Sequence, residues 1–272
     1  MSEPGVERAR IRRAVAEHPH LLAIWDPVVA LLVERSDVAV IASGSLGAGT
    51  LDCWSDLDLE VVVLDPGRHR AVQAELRAAL PTFGEVLASF PADHVGLPDL
   101  DVTFYAVGDT VAKLDLWVTA EPVPGVVIHD PEGRLGEPAS HGPPPLDVAD
   151  LHHKLTGWCW YTITKVARGE LLEAADSLAV MRSRALLPCL LWLDGQPREG
   201  FRRAERRLSP AHLALVREVR PRSLHPSDLK DAVLATARAF ASVADALDEE
   251  AGRRVCTADL DAMIRRVADV PV

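Results

Sequence analysis

At 272 residues the chain has room for one large domain or two ordinary ones, and 48% hydrophobic with 25% charged residues excludes a disordered protein. A formal charge of −11 argues against long nucleic acid, which calls for a basic surface, but suits a metal-bound nucleoside triphosphate or a cationic small molecule. No apolar run approaches the roughly 20 residues of a membrane span, the start Met1-Ser2-Glu3-Pro4-Gly5 lacks a signal-peptide pattern, and Cys53, Cys159, Cys189 and Cys256 form no C-x-x-C pair, so a cytoplasmic protein with free thiols and no membrane contact is expected.

In chain order, residues 6–35 read as helical, with a basic start and an apolar stretch from Leu21 to Val33 broken near Pro27. Asp37–Ala42 is a short β-prone run, followed by the turn Ser43-Gly44-Ser45-Leu46-Gly47-Ala48-Gly49-Thr50 into a short helix. Leu57–Leu64 is a second strand, and residues 68–80 fit an amphipathic helix ended by Pro81. Three more β-prone runs follow at Glu85–Phe90, Asp101–Val107 and Lys113–Thr119, the last two joined across Gly108-Asp109-Thr110 as a hairpin. The Pro- and Gly-rich residues 131–146 read as a linker. Beyond it, segments near 147–168, 170–193, 209–219, 227–248 and 257–268 suit helices, with Asp147 and Ser227 as caps. The expected fold class is α+β: a mixed sheet with helices over 1–130, then a helical bundle over 147–272.

Strand alternation places Asp56 and Asp58 on one face, with Leu57 and Leu59 turned into the core. Two adjacent carboxylates repel unless a cation lies between them, and a hard divalent ion such as Mg²⁺ prefers such oxygen ligands. Upstream, Gly44 and Ser45 end a strand where exposed N–H groups and a hydroxyl can hold phosphate oxygens, with Thr50 closing the same turn. Asp115, flanked by apolar residues mid-strand, is the preferred third carboxylate, able to ligate a second metal or accept the proton of an attacking hydroxyl; Asp101 on the neighbouring strand competes for the role. In the helical half, Lys154, Trp158, Tyr161, Lys165 and Arg168 fall along one helix stripe. That stripe reads equally as a cleft wall and as an aromatic core edge with solvated ends. Lys165 and Arg168 are its phosphate candidates, and Trp158 a ring contact. Glu173 and Asp176 are carboxylates that could meet an acceptor's amino groups, or simply favour the start of their helix. Arg182 and Arg184 are weaker phosphate candidates, while His94, His152 and His153 show no ligand spacing.

The run Gly44-Ser45-Leu46-Gly47-Ala48-Gly49-Thr50…Ser55-Asp56-Leu57-Asp58 resembles the signature of the DNA polymerase β-like nucleotidyltransferase superfamily. With a helical half behind it, the chain is most similar to the aminoglycoside and lincosamide nucleotidyltransferases that act in antibiotic resistance. The resemblance is close over residues 43–64 and extends to Asp115. It implies two Mg²⁺ ions on Asp56, Asp58 and Asp115, a triphosphate on Gly44 and Ser45, in-line attack by a hydroxyl at the α-phosphate, and departure of pyrophosphate. Many members carry a basic residue where this chain has Ala48, so phosphate charge must be met elsewhere.

The function expected is transfer of AMP from ATP to a hydroxyl of a small, cationic acceptor such as an aminoglycoside, in a cleft that a homodimer partner can complete. Two alternatives stand beside it: a protein or RNA acceptor, and a non-catalytic, antitoxin-like nucleotide-binding module. A carboxylate of the helical half competes with Asp115 as general base.

Overall fold

The computed structural model describes residues 3–135, 146–198, 200–251 and 258–272. The chain divides into two compact units, Met1–His141 and Gly142–Val272. Most of the expected linker, residues 136–145, lies outside the described residues; its first part forms a tight turn at Pro131–Gly133.

The first unit is a mixed α/β structure built on a six-stranded sheet. Helices α1 (Pro4–Val15) and α2 (Pro19–Val33) precede strand β1 (Val38–Ala42), the short helix α3 (Gly44–Ala48), strand β2 (Leu57–Val63) and helix α4 (His69–Ala79). Strands β3 (Glu85–Ala92), β4 (Leu97–Val107), β5 (Thr110–Thr119) and β6 (Val126–His129) complete it in the order β3-β4-β5-β2-β1-β6. β2 and β5 are parallel, and the other neighbours are antiparallel.

Apolar alternation sets which face is covered. Leu57, Leu59, Val61 and Val63 of β2, with Leu114, Leu116 and Val118 of β5, share one buried cluster with Ile11 and Val15 of α1, Trp25 and Val28 of α2, and Val72 and Leu76 of α4. The intervening residues point to the opposite face. At its β1 end this face carries only a small apolar cluster around Ala39, Ile41 and Val62. Its middle is where the charged side chains stand.

Several boundaries differ from those expected. The first helical stretch breaks at His18-Pro19, not near Pro27: the residue before a proline is driven out of the α region, whereas Pro27 is carried inside α2. Strand β2 starts at Leu57 as expected, so Asp56, counted with Asp58 by strand alternation, lies just ahead of it. The β4–β5 hairpin closes on Gly108-Asp109 alone, with Thr110 already paired to Val107. Strand β6 was not anticipated, because its short apolar core Val126-Val127-Ile128 follows Pro122 and Pro124, which read as loop.

The second unit is helical: α5 (Val148–Ala167), α6 (Leu171–Met181), α7 (Leu187–Leu193), α8 (Ala204–Arg207), α9 (Pro210–Glu218), α10 (Pro226–Ala251) and α11 (Ala258–Asp269). Its core joins Leu155, Cys159 and Ile163 of α5 to Leu178 and Met181 of α6 and to Val233 and Phe240 of α10. Asp147 caps α5 as expected, accepting from the N–H of Asp150 at 2.9 Å. Ser227 is not a cap, since α10 already begins at Pro226. Between α6 and α7 a π-turn, Arg182–Leu186, interrupts what the sequence presents as one helix. No helix among the described residues is long and apolar enough to cross a membrane. Cys159 and Cys189 are buried free thiols, pushed up to about 12 by desolvation, and Cys256 lies outside the described residues.

Candidate metal centre

The local fold around Asp56 is fixed by a short polar loop. Asp52 Oδ1 accepts from the Trp54 N–H at 2.9 Å and from the Ser55 hydroxyl at 3.1 Å, while Ser55 Oγ accepts from the Asp52 N–H at 2.9 Å. This turn delivers Asp56 to the mouth of β2. Asp58 follows in the strand, directly opposite Asp115 in the parallel β2–β5 register. Asp56, Asp58 and Asp115 each offer one carboxylate oxygen, and the three atoms lie within 4.8 Å of one another. Among the described residues they are the one such group that could hold a metal ion.

Asp101 does not share this site. It pairs with Leu116, which belongs to the helix-covered face, and is 3% exposed, with Arg77 Nε of α4 donating to its Oδ1 at 2.9 Å. Its role is to hold α4 on the sheet.

The turn at Gly44 completes the centre. Gly44 has φ +56°, and a Cβ built on it would stand 2.1 Å from Asp58 Oδ2, so only glycine lets the backbone come this close to the carboxylate. Gly44 and Thr50 are exposed, and the Thr50 N–H donates to the Ser45 carbonyl at 3.0 Å. Ser45 itself is 4% exposed, so the open surface of the turn is Gly44 rather than the Ser45 side chain.

Two further residues of this face were passed over in the sequence. Lys113 Nζ donates to Asp115 Oδ2 at 2.7 Å and to Asp56 Oδ2 at 2.9 Å. Burial alone would lower its pKa, but the hydrogen bonds and charges of Asp115 and Asp56 outweigh that and raise it. Glu60 is 8% exposed and sits between Ile41 and Trp117 in the sheet. Burial, opposed by the Ser43 hydrogen bond and reinforced by the charge of Asp58, pushes the Glu60 carboxyl up to about 7. Both were legible as period-two partners, Lys113 with Asp115 and Glu60 with Asp58.

The raised Glu60 value predicts a pH signature. The folded protein holds this proton until about pH 7, whereas the unfolded chain releases it near 4.5. Stability in metal-free buffer is therefore lost as pH rises through that window. Glu60→Gln should match the wild type near pH 4.5 and exceed it above pH 7 by up to about 3 kcal/mol in urea denaturation. An equal difference at both pH values would show that burial does not perturb Glu60.

The donor set fits a hard divalent cation, being all carboxylate oxygen, and an ammonium already bridges two of the three acids. Beyond the centre, at the end of β5, Trp117 lines an open groove of about 730 Å³ together with Glu121, Pro122, His69 at the start of α4, and Asp99. Asp99 accepts from Gln73 of α4, so the groove opens toward the helix-covered side. The acids themselves do not line it; the groove begins two residues beyond Asp115.

The helical candidates lie in the second unit, and two of them meet each other. Lys165 Nζ contacts Glu170 Oε2 at 2.7 Å and Glu173 Oε1 at 3.1 Å and stands 5.1 Å from the Tyr161 ring centre, while the Tyr161 hydroxyl donates to Glu173. Hydrogen bonds to Glu170 and Glu173 raise the Lys165 pKa, and those from Tyr161 and Lys165 lower that of Glu173. Lys154 is paired with Asp150 at 2.6 Å, and Trp158 packs half-buried against the helical core. Arg168 and Asp176 are exposed. Arg182 is half-buried in the π-turn, where burial and the charge of Arg220 lower its pKa.

No protein-family model matches the chain, and a search of the curated proteins finds no match.

Proposed function

We propose that the chain is a nucleotidyltransferase of the DNA polymerase β-like type, moving a nucleoside monophosphate, AMP from ATP in the first instance, onto a hydroxyl of a small molecule. The observation that carries this reading is the convergence of Asp56, Asp58 and Asp115 within 4.8 Å beside a glycine turn that touches Asp58. Three acids converged on one strand face, of which the single ammonium of Lys113 bridges only two, favour a further cation, and a turn open at Gly44 next to them suits a phosphate chain.

On this reading Asp56, Asp58 and Asp115 would hold magnesium, which when bound supplies charge neutralisation for the triphosphate and the leaving pyrophosphate. The exposed backbone of Gly44 orients the phosphate chain, and Thr50 borders it. Asp115 is the group placed to take the proton of the acceptor hydroxyl. No covalent intermediate is required; positioning and charge provide the rate enhancement. The net charge of −11 favours a cationic acceptor of the aminoglycoside kind.

The test is pyrophosphate release with Mg²⁺, each of the four nucleoside triphosphates, and panels of aminoglycosides and lincosamides. Release that needs both triphosphate and acceptor, with an acceptor mass gain of one nucleoside monophosphate, is the expected result. Nucleotide binding without pyrophosphate across the panel would overturn the reading in favour of a non-catalytic module.

A further inference from the structure

The sequence contains 29 basic residues, and just four of them are lysines: Lys113, Lys154, Lys165 and Lys230. One of these four stands in the carboxylate centre. Its ammonium bridges Asp56 Oδ2 and Asp115 Oδ2 at 2.9 and 2.7 Å, on the same face of the sheet and one strand alternation from Asp115. A strand lysine on an open face ordinarily extends its stem into solvent, because an exposed ion pair offsets little of the entropy of holding it. Lys113 is instead 31% exposed and turned along its own strand toward the acids.

We propose that Lys113 is the resident counter-ion of the centre and that a divalent cation enters by exchange with it, taking over the oxygens of Asp56 and Asp115 that the ammonium holds. This rests on the metal-centre reading above and adds a role that the three acids alone do not define. Both cations compete for the same two oxygens, and two positive charges that close repel each other. Metal entry therefore releases the lysine head from the acids. Without metal, Lys113 offsets the mutual repulsion of Asp56, Asp58 and Asp115 and keeps them converged. With metal, it becomes a mobile positive charge at the edge of the centre, which supplies one answer to the uncharged Ala48 in the turn. Lys113 is thus a positioning residue in the resting protein.

Two measurements test this, neither depending on turnover. In the first, Mn²⁺ is titrated into the full chain and free ion is followed by electron paramagnetic resonance. Lys113→Met, with the competing charge removed, should bind Mn²⁺ about three- to tenfold more tightly than wild type, whereas Lys113→Arg should stay near it. In the second, wild-type protein is acetylated briefly with and without Mg²⁺ and each lysine is quantified by mass spectrometry. Lys113 should react several-fold faster with Mg²⁺, while Lys154, paired with Asp150, and Lys230, bonded to the Val270 carbonyl, serve as unchanged references. Folded Lys113→Met that binds Mn²⁺ no more tightly, or Lys113 acetylation that Mg²⁺ leaves unchanged or slows, overturns the exchange while the metal centre stands. Wild-type protein that binds no Mn²⁺ overturns both. If Lys113→Met does not fold, the acetylation result alone decides.

Discussion

Asp58→Asn should lower Mg²⁺-dependent pyrophosphate release by about 10³-fold while leaving metal-free stability unchanged or slightly higher. Asp58 sits opposite Asp115 in the parallel register and contributes one of the three converging oxygens. An amide keeps the shape of the side chain but removes its charge, so on the nucleotidyltransferase reading the centre loses both metal affinity and the field that the transferring phosphoryl group requires. The same change relieves like-charge repulsion among three acids that Lys113 offsets only in part. Activity and stability should therefore move independently. Asp101→Asn provides the contrast: this acid lies on the helix-covered face under Arg77, so its loss should cost about 1–3 kcal/mol of stability and leave turnover per folded molecule intact. Turnover by Asp58→Asn within tenfold of wild type would remove the basis for the proposed chemistry.

That pair of acids also shows where sequence was informative and where it was not. Alternation alone set Leu57, Leu59, Leu114 and Leu116 on a buried face and so put Asp58 and Asp115 on the other. It could not choose between Asp101 and Asp115, because the choice depends on register. With Asp101 opposite Leu116, the two acids differ by one residue along the pairing and fall on opposite faces. Register follows from the Gly108-Asp109 turn, which the sequence reading made one residue longer by including Thr110.

Lys113 and Glu60 obeyed the same alternation, yet neither forms part of the motif around Gly44 and Asp56, and their parity was passed over for that reason. Strand β6 was hidden by its neighbouring prolines. In the helical unit, the heptad-like stripe placed Trp158 and Lys165 correctly on α5, but a helix pattern carries no information on which long side chains pair. Lys165 and Glu173, assigned to different ligands from sequence, are held together with Tyr161 and Glu170. Local periodicity reports faces; partners across elements come from packing and register.

Gly44→Ala should damage both stability and activity, costing roughly 2–4 kcal/mol and reducing Mg²⁺-dependent activity by about 100-fold. Two separate effects add. At φ +56° an alanine pays about 1–2 kcal/mol for the left-handed conformation. Its Cβ would also lie 2.1 Å from Asp58 Oδ2, well inside contact distance, so either the turn or the carboxylate must shift. Gly108→Ala isolates the first effect, since Gly108 has φ +57° with nothing within 4 Å of a built Cβ; it should cost about 1–2 kcal/mol and leave the centre unaltered. The second effect is isolated by a double-mutant cycle. In an Asp58→Ala background the colliding oxygen is gone and the nearest remaining atom of that residue, its Cβ, is 3.6 Å away, so Gly44→Ala should there cost no more than Gly108→Ala. Coupling of about 1–2 kcal/mol between positions 44 and 58 is the expected outcome in urea denaturation. Strict additivity would mean that the turn relaxes away from Asp58 at no cost, and the close approach of Gly44 to the carboxylate would then have no part in holding the centre together.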